Sequence, residues 1–298
     1  MNDALALALQ RCLPKHLLTR AAGAFARRPC GWLSTAAIRA FIRHYRVDMS
    51  EAAQPAPAAY ATFNDFFTRA LRDGARPLAQ AARLCPVDGA ISQCGAIADG
   101  QILQAKGQHY TAAELLGGDA ALAARFAHGS FATLYLSPRD YHRIHLPCAA
   151  TLREMIFVPG ALYSVNPATA RALPGLFARN ERAVCVFDTA EGAMALVLVG
   201  ATIVGSIRTV WAGTLNARRD GQMRKWRYDG DEALSFPQGA EIGSFALGST
   251  VIALFERPAP FPADWLPARS VRMGEAMCET VATTPDTEPD FSRTSTPS

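Results

Sequence analysis

The 298-residue chain lacks most of the marks that would place it in a class at once. No two cysteines stand at C-x-x-C spacing, and the seven thiols, at positions 12, 30, 85, 94, 148, 185 and 278, are odd in number and scattered. That pattern argues against a disulfide framework and predicts reduced, mostly buried thiols in a cytoplasmic protein. No apolar run reaches the roughly 20 residues that span a bilayer. The longest, 193–207, is interrupted by Gly200 and Gly205 and reads as two buried strands. No signal peptide is expected either, since the apolar stretch 4–9 is very short and follows Asp3 where a basic region would be needed. Charged residues make up only 19% of the chain, and a net charge of +4 is too small to imply a nucleic-acid partner. Without a helical H-E-x-x-H, a zinc site built from His142, His145 and Asp88 is disfavoured, and no metal is expected. Without a G-x-S-x-G elbow, so is an ordinary serine hydrolase.

What is present is unevenly distributed. The segment to Asp48 holds Arg11, Lys15, Arg20, Arg27, Arg28, Arg39, Arg43 and Arg46 against only Asp3 and Asp48. From Leu5 to Tyr45 apolar residues recur at helical spacing, with Pro14 and Pro29 dividing the segment into short helices. Such basic amphipathic helices can lie in a membrane interface or pack on a domain, and this stretch by itself leaves both open. Residues 48–60, rich in Ala and Pro, read as a linker, and 62–71 as a further helix. From Leu84 the texture changes to short apolar runs separated by glycines, which predicts strands over 90–95, 133–136, 150–158, 183–187, 193–199, 202–210 and 249–255. One helix is expected within this body, over 111–127. Beyond Arg272 the chain turns to Thr, Pro, Asp, Glu and Ser.

Four places could carry chemistry. In Gly248-Ser249, a glycine that leaves its carbonyl open to approach precedes a hydroxyl, so the pair reads either as a tight turn or as a serine poised to attack its own peptide bond. Asp88, in Pro86-Val87-Asp88-Gly89, puts a carboxylate on a turn before a strand. Two of only six histidines, His142 and His145, stand at i and i+3 in Ser137-Pro138-Arg139-Asp140-Tyr141-His142-Arg143-Ile144-His145, a density that invites acid/base work. Gly160 and Asn166, in the stretch 158–166, could line a pocket wall.

Taken in order, these and several further landmarks resemble the bacterial phosphatidylserine decarboxylase proenzymes over nearly the whole length. The landmarks are Phe63-Asn64-Asp65-Phe66-Phe67-Thr68-Arg69, Pro86-Val87-Asp88-Gly89, Gln104-Ala105-Lys106-Gly107, the His142/His145 motif, Leu176-Phe177-Ala178-Arg179-Asn180-Glu181-Arg182, Val199-Gly200-Ala201-Thr202, and Leu247-Gly248-Ser249-Thr250. Pro167, Gln238 and the tail after Cys278 depart from the family pattern.

The resemblance implies that Ser249 attacks the Gly248 carbonyl, with His145 as general base and Asp88 orienting it, and that Ser249 becomes a covalent pyruvoyl cofactor. Chains 1–248 and 249–298 would remain together as a heterodimer. The pyruvoyl would decarboxylate phosphatidylserine to phosphatidylethanolamine, with His142 protonating the product carbon or holding the carboxylate. A lipid substrate favours the interfacial reading of the basic segment, an anionic membrane surface as partner and a peripheral location on the cytoplasmic face of the inner membrane. The resemblance also implies a homodimer. The expected fold is α+β, with basic amphipathic N-terminal helices on a β-rich body of packed sheets, barrel-sandwich-like. The expected division is a membrane-associating segment 1–48, a catalytic domain 49–272 with 249–272 in the short chain, and a disordered tail 273–298. A pyruvoyl-dependent decarboxylase of a soluble amino acid is the competing enzyme reading, and a membrane-surface module with an idle serine the competing non-enzyme reading.

Overall fold

The structure is a computed structural model that describes residues 23–201, 207–215, 220–246, 249–258 and 260–278. The parts of the N-terminal segment before residue 23, Gly248 and the tail beyond 278 therefore lie outside the described residues.

Among the described residues, a short helical stretch at 23–27 and two complete α-helices precede the sheets. Helix α1 (Trp32–Tyr45) follows Pro29 and ends at Arg46, which takes a left-handed conformation (φ 56°). Helix α2 (Phe63–Phe67) opens on a capping box in which Thr62 accepts from the Asp65 amide while Asp65 accepts from the Thr62 amide. It stops at Phe67, four residues short of the expected end. Ile38 of α1 packs against Phe66, Phe67, Tyr60 and Val47 in a separate small core, where each fully buried side chain contributes about 1.5–3 kcal/mol. The stretch expected to be a linker belongs to this packing: Ala52 pairs with Leu71, and Glu51 bonds Arg76 and Arg272.

The body is antiparallel throughout its named ladders. In chain order it comprises β1 (Gly89–Ala96), β2 (Gln101–Ala105), β3 (Gln108–Thr111), α3 (Ala112–Leu115), α4 (Ala120–Arg125), β4 (Ser130–Leu136), β5 (Arg143–His145), β6 (Ala150–Val158), α5 (Pro167–Ala172), α6 (Leu176–Arg179), β7 (Arg182–Thr189), β8 (Gly192–Val199), β9 (Ile207–Thr209), β10 (Gly213–Thr214), β11 (Arg224–Arg227), β12 (Leu234–Phe236), β13 (Glu241–Phe245), β14 (Ser249–Phe255) and β15 (Ser270–Val271). The main sheet runs β11-β6-β7-β8-β14-β4-β1-β15, with β12 also on β6, and a second sheet runs β10-β9-β13-β5. Where a helix was expected over 111–127 there are two short ones, because Gly117 and Gly118 take φ of 82° and 88° and break the turn.

Both faces of the main sheet are covered. One packs on the second sheet through Leu134, Leu196, Val251, Ile242 and Phe245, and the other packs under α3, α5 and α6 through Val184, Val197, Ile252 and Leu254. This explains why β8 and β14 read as continuous apolar runs instead of alternating ones. The packed body continues through Met273, Met277 and Cys278, all buried.

Candidate active site

Three strand ends meet at one edge of the main sheet. Strand β4 runs antiparallel to both β1 and β14, so its last residue, Leu136, lies beside the first residue of β14, Ser249, and near the first of β1, Gly89. The chain enters that edge at Asp88 and leaves it through 137–142, which leads into β5. Ladder register thus sets Ser249 beside Leu136 and Asp88 just before β1, while His145 ends β5 in the second sheet; among the described residues no hydrogen bond joins Ser249 to Asp88, His142 or His145. The ladder is close there: a Cβ on Gly89 would stand 2.3 Å from the Tyr135 carbonyl oxygen, so only glycine lets β1 approach β4 next to Asp88.

Ser249 is 0% exposed, and its hydroxyl has no hydrogen-bond partner among the described residues. A buried hydroxyl left unsatisfied costs about 1–3 kcal/mol, a debt usually found where the group has a task. His142 is equally buried and rests on Phe67, ring centroids 4.2 Å apart. Its Nδ1 lies 2.8 Å from the Asp140 carbonyl oxygen. A carbonyl only accepts, so Nδ1 carries the proton and Nε2 carries the lone pair, and that Nε2 has no partner. Burial pushes the His142 pKa down to about 3, so the ring is neutral at physiological pH.

His145 has the same tautomer for the same reason: Nδ1–H donates to the Gly239 carbonyl at 2.8 Å. Its Nε2 lone pair faces the Tyr141 hydroxyl at 3.1 Å, which donates to it. Burial lowers its pKa, opposed by the Gly239 bond and the charges of Glu241 and Asp88.

Asp88 is held differently from the expected triad member. Its carboxylate takes a bidentate contact from Arg76, with Nε at 2.9 Å from Oδ1, and accepts from the Met273 amide at 2.9 Å. Arg76 in turn bridges to Glu51. Asp88 therefore acts on His145 through its charge, while the hydrogen bonds of both are made elsewhere. Among the described residues Asp88 makes no hydrogen bond to His145, so the expected orienting role is left to Gly239 and Tyr141.

The remaining candidates divide into scaffold and wall. Asn166 caps α5 by accepting from the Thr169 amide, and Pro167 follows at the first helical position, where proline is well suited. Gly160 sits 2.6 Å, measured from a built Cβ, from the Arg179 carbonyl oxygen, a close backbone approach instead of a pocket wall. Gln238 donates to the carbonyls of Ala81 and Pro147, tying the loop before β13 to the body. Gly248 lies outside the described residues, beside Ser249.

Sequence reasoning missed Arg76, Arg69 and the role of Tyr141. Arg76 lies in a turn, Asp73-Gly74-Ala75-Arg76-Pro77, and no local pattern distinguishes a turn arginine that reaches a buried carboxylate from one in solvent. Arg69 and Tyr141 do fall within quoted motifs, which was the available signal.

A family model described as Phosphatidylserine decarboxylase matches residues 63–279, and a second, described as PSD, matches 5–46. Curated relatives include the phosphatidylserine decarboxylase proenzyme of Polaromonas naphthalenivorans, 59% identical over 95% of this chain and 99% of its own. Those of Acidovorax ebreus (62% identical over 93% and 98%) and Azoarcus sp. (60% over 96% and 99%) carry the same name.

Proposed function

Because the chain belongs to the phosphatidylserine decarboxylase family, we propose that it is made as one chain, cuts itself between Gly248 and Ser249, and converts phosphatidylserine to phosphatidylethanolamine. The observation that carries this reading is the buried, unpartnered hydroxyl of Ser249 at the sheet edge where the 137–145 loop and Asp88 converge.

In the cut, Ser249 Oγ adds to the Gly248 carbonyl, the amide nitrogen leaves that carbon carrying the proton lost by Oγ, and an ester forms. Loss of the Ser249 α-proton then expels the Gly248 carboxylate and leaves a dehydroalanine. Water displaces its nitrogen as ammonia, and the short chain 249–298 begins with a pyruvoyl group. His145 suits the base because its bond to Gly239 keeps Nε2 as the acceptor. The proton reaches that atom in place of, or by way of, the Tyr141 hydroxyl. Asp88 supports the imidazolium by charge, itself held by Arg76.

The residues present fit a pyruvoyl group derived from Ser249, because that residue is fully buried, where water is excluded, and its hydroxyl is held by no partner among the described residues. The group supplies a carbonyl that draws in the electron pair released when the carboxylate leaves. The His142 Nε2 lone pair, unpartnered among the described residues, is the acceptor open to a proton from the incoming ammonium and the donor that returns it to the carbon that has lost its carboxylate. A neutral ring cannot hold the carboxylate by charge, so of its two sequence-level roles the acid role is favoured.

The exposed face of the helical segment supports delivery from a membrane. Phe25, Trp32 and Leu33 are exposed together with Arg27, Arg28, Arg39, Arg43 and Arg46, a pairing suited to an anionic lipid surface on the cytoplasmic face. No described helix is long and apolar enough to cross a membrane. A homodimer is part of the same reading, tested by sedimentation.

The experiment is intact mass of the denatured protein, paired with release of carbon dioxide from phosphatidylserine and from free serine. Wild type should give two fragments, the smaller blocked at its N-terminus, and act on the lipid. Ser249→Ala should remain one inactive chain, and cleavage of that variant at residue 248 would defeat the mechanism. Activity on free serine alone would select the soluble amino-acid reading.

A further inference from the structure

Beside the Ser249 edge a cleft of about 560 Å³ opens between the helical segment and the main sheet, within the range of roughly 300–1,000 Å³ that small-molecule sites occupy. Its wall carries five guanidinium groups, Arg46, Arg69, Arg76, Arg139 and Arg272, and four carboxylates, Asp48, Glu51, Asp88 and Asp140. Most of these charges are spoken for. Arg76 holds Asp88 and Glu51, Arg272 holds Glu51, Asp48 accepts from Ser50, and Asp140 accepts from the Ser137 amide.

Arg46 is solvent-exposed, and among the buried groups Arg69 is the exception. It is only 4% exposed, yet two of its three nitrogens, Nε and Nη1, donate to nothing among the described residues. Its described partners are the Arg139 carbonyl, at 3.1 Å from Nη2, and the face of the Phe66 ring. A buried guanidinium without a carboxylate is costly to keep, because desolvation of the charge is not offset. Burial accordingly lowers its pKa. The residue lies two positions beyond the end of α2 and lines the same cleft as Asp88, which places its free N–H groups beside the site without putting them on the reacting atoms.

We propose that this cleft is the headgroup site and that Arg69 turns its free N–H groups onto an oxyanion, the phosphodiester of the lipid. The inference rests on the lipid reading of the active site. The substrate carries two oxyanions, and energetics selects between them. The carboxylate loses its charge as carbon dioxide departs, so a guanidinium bound to it would favour the ground state over the transition state and slow the step. The phosphodiester keeps its charge throughout, so a guanidinium bound to it lowers KM and leaves kcat alone.

The test uses the processed enzyme with phosphatidylserine in neutral-detergent mixed micelles, which removes surface charge from the measurement. Arg69→Gln should process normally and show KM raised about 10- to 100-fold at unchanged kcat, the scale of charge-assisted hydrogen bonds. Arg69→Lys, which keeps the charge and loses the fork, should fall between. Unchanged KM, or a changed kcat at constant KM, overturns the proposal. Should Arg69→Gln fail to process, wild type alone still decides: sn-glycerol 3-phosphate should compete with the lipid and free serine should not, and the reverse order overturns the proposal. Inorganic phosphate separates a headgroup site from a simple phosphate site, since competition by it equal to that of glycerol phosphate also overturns the headgroup assignment. Failure of wild type to decarboxylate the lipid would defeat the functional reading itself, an outcome distinct from all of these.

Discussion

At the scale of single residues, the site is defined by what its groups leave unmade. Among the described residues Ser249 Oγ and His142 Nε2 are buried without hydrogen-bond partners, as are Arg69 Nε and Nη1 in the neighbouring cleft. The depressed pKa of His142 has a stability consequence whose sign is set by burial. A histidine at 6.5 when unfolded and about 3 when folded binds fewer protons in the folded state across that interval. Stability is therefore fully present above about pH 6.5 and is lost as pH falls toward 3. In the uncut Ser249→Ala background, which keeps unfolding unimolecular, the melting temperature should drop between pH 7.5 and 5, and His142→Phe should flatten that drop. His142→Ala should still process and lose turnover, and a failure to process, seen by mass, would exchange the roles of the two histidines. Arg76 belongs at this scale as well: Arg76→Ala strands a buried Asp88 carboxylate and should cost about 3–5 kcal/mol by denaturant titration of the same background.

At the scale of elements, what matters is how strand ends are brought to one edge. Gly89 permits β1 to lie against β4, and Gly89→Ala should push the strands apart at the Tyr135 carbonyl. Overpacking of this kind costs about 1–3 kcal/mol. Because it moves the chain beside Asp88, processing followed on a gel should slow together with the loss of stability. Helix α2 acts as a clamp on the histidine loop: Phe67 backs His142, the Thr68 carbonyl accepts from Arg143, and Arg69 bonds Arg139. Several family landmarks turn out to be scaffold. The Arg182 guanidinium donates to the carbonyls of Leu115, Ala178, Asn180 and Glu114, and Asn180 bonds Tyr163 and Gly200. A motif match alone cannot separate such residues from reacting ones.

At the scale of the molecule, the helical segment joins a surface to a site. Trp32 is 76% exposed on a helix whose other face packs Ile38 into the small core beside α2. Trp32→Ala should weaken binding to anionic vesicles on the order of tenfold, equivalent to about 1.4 kcal/mol, and leave turnover of detergent-dispersed lipid unchanged. Binding measured by co-sedimentation should also weaken as salt rises, because each surface arginine near an anionic leaflet is worth about 1 kcal/mol and is screened within a Debye length.

The sequence by itself determined the elements whose signals are local. Strands 150–158 and 249–255 have the bounds expected of them, since short, mostly apolar runs rich in β-branched and aromatic residues between turns favour extended backbone. Ser249 opens a strand, as its sequence context suggested, and the dense histidine motif marked the loop that enters the site. Only the tertiary structure decided what those residues touch. The Asp88–Arg76 pair joins residues across a turn and a core, the Tyr141–His145 contact depends on a loop's path, and Arg69 is lonely only because burial removed water from it. Periodicity and turn chemistry act over a few residues and can be read along the chain. Desolvation and pairing arise between segments that meet only after folding.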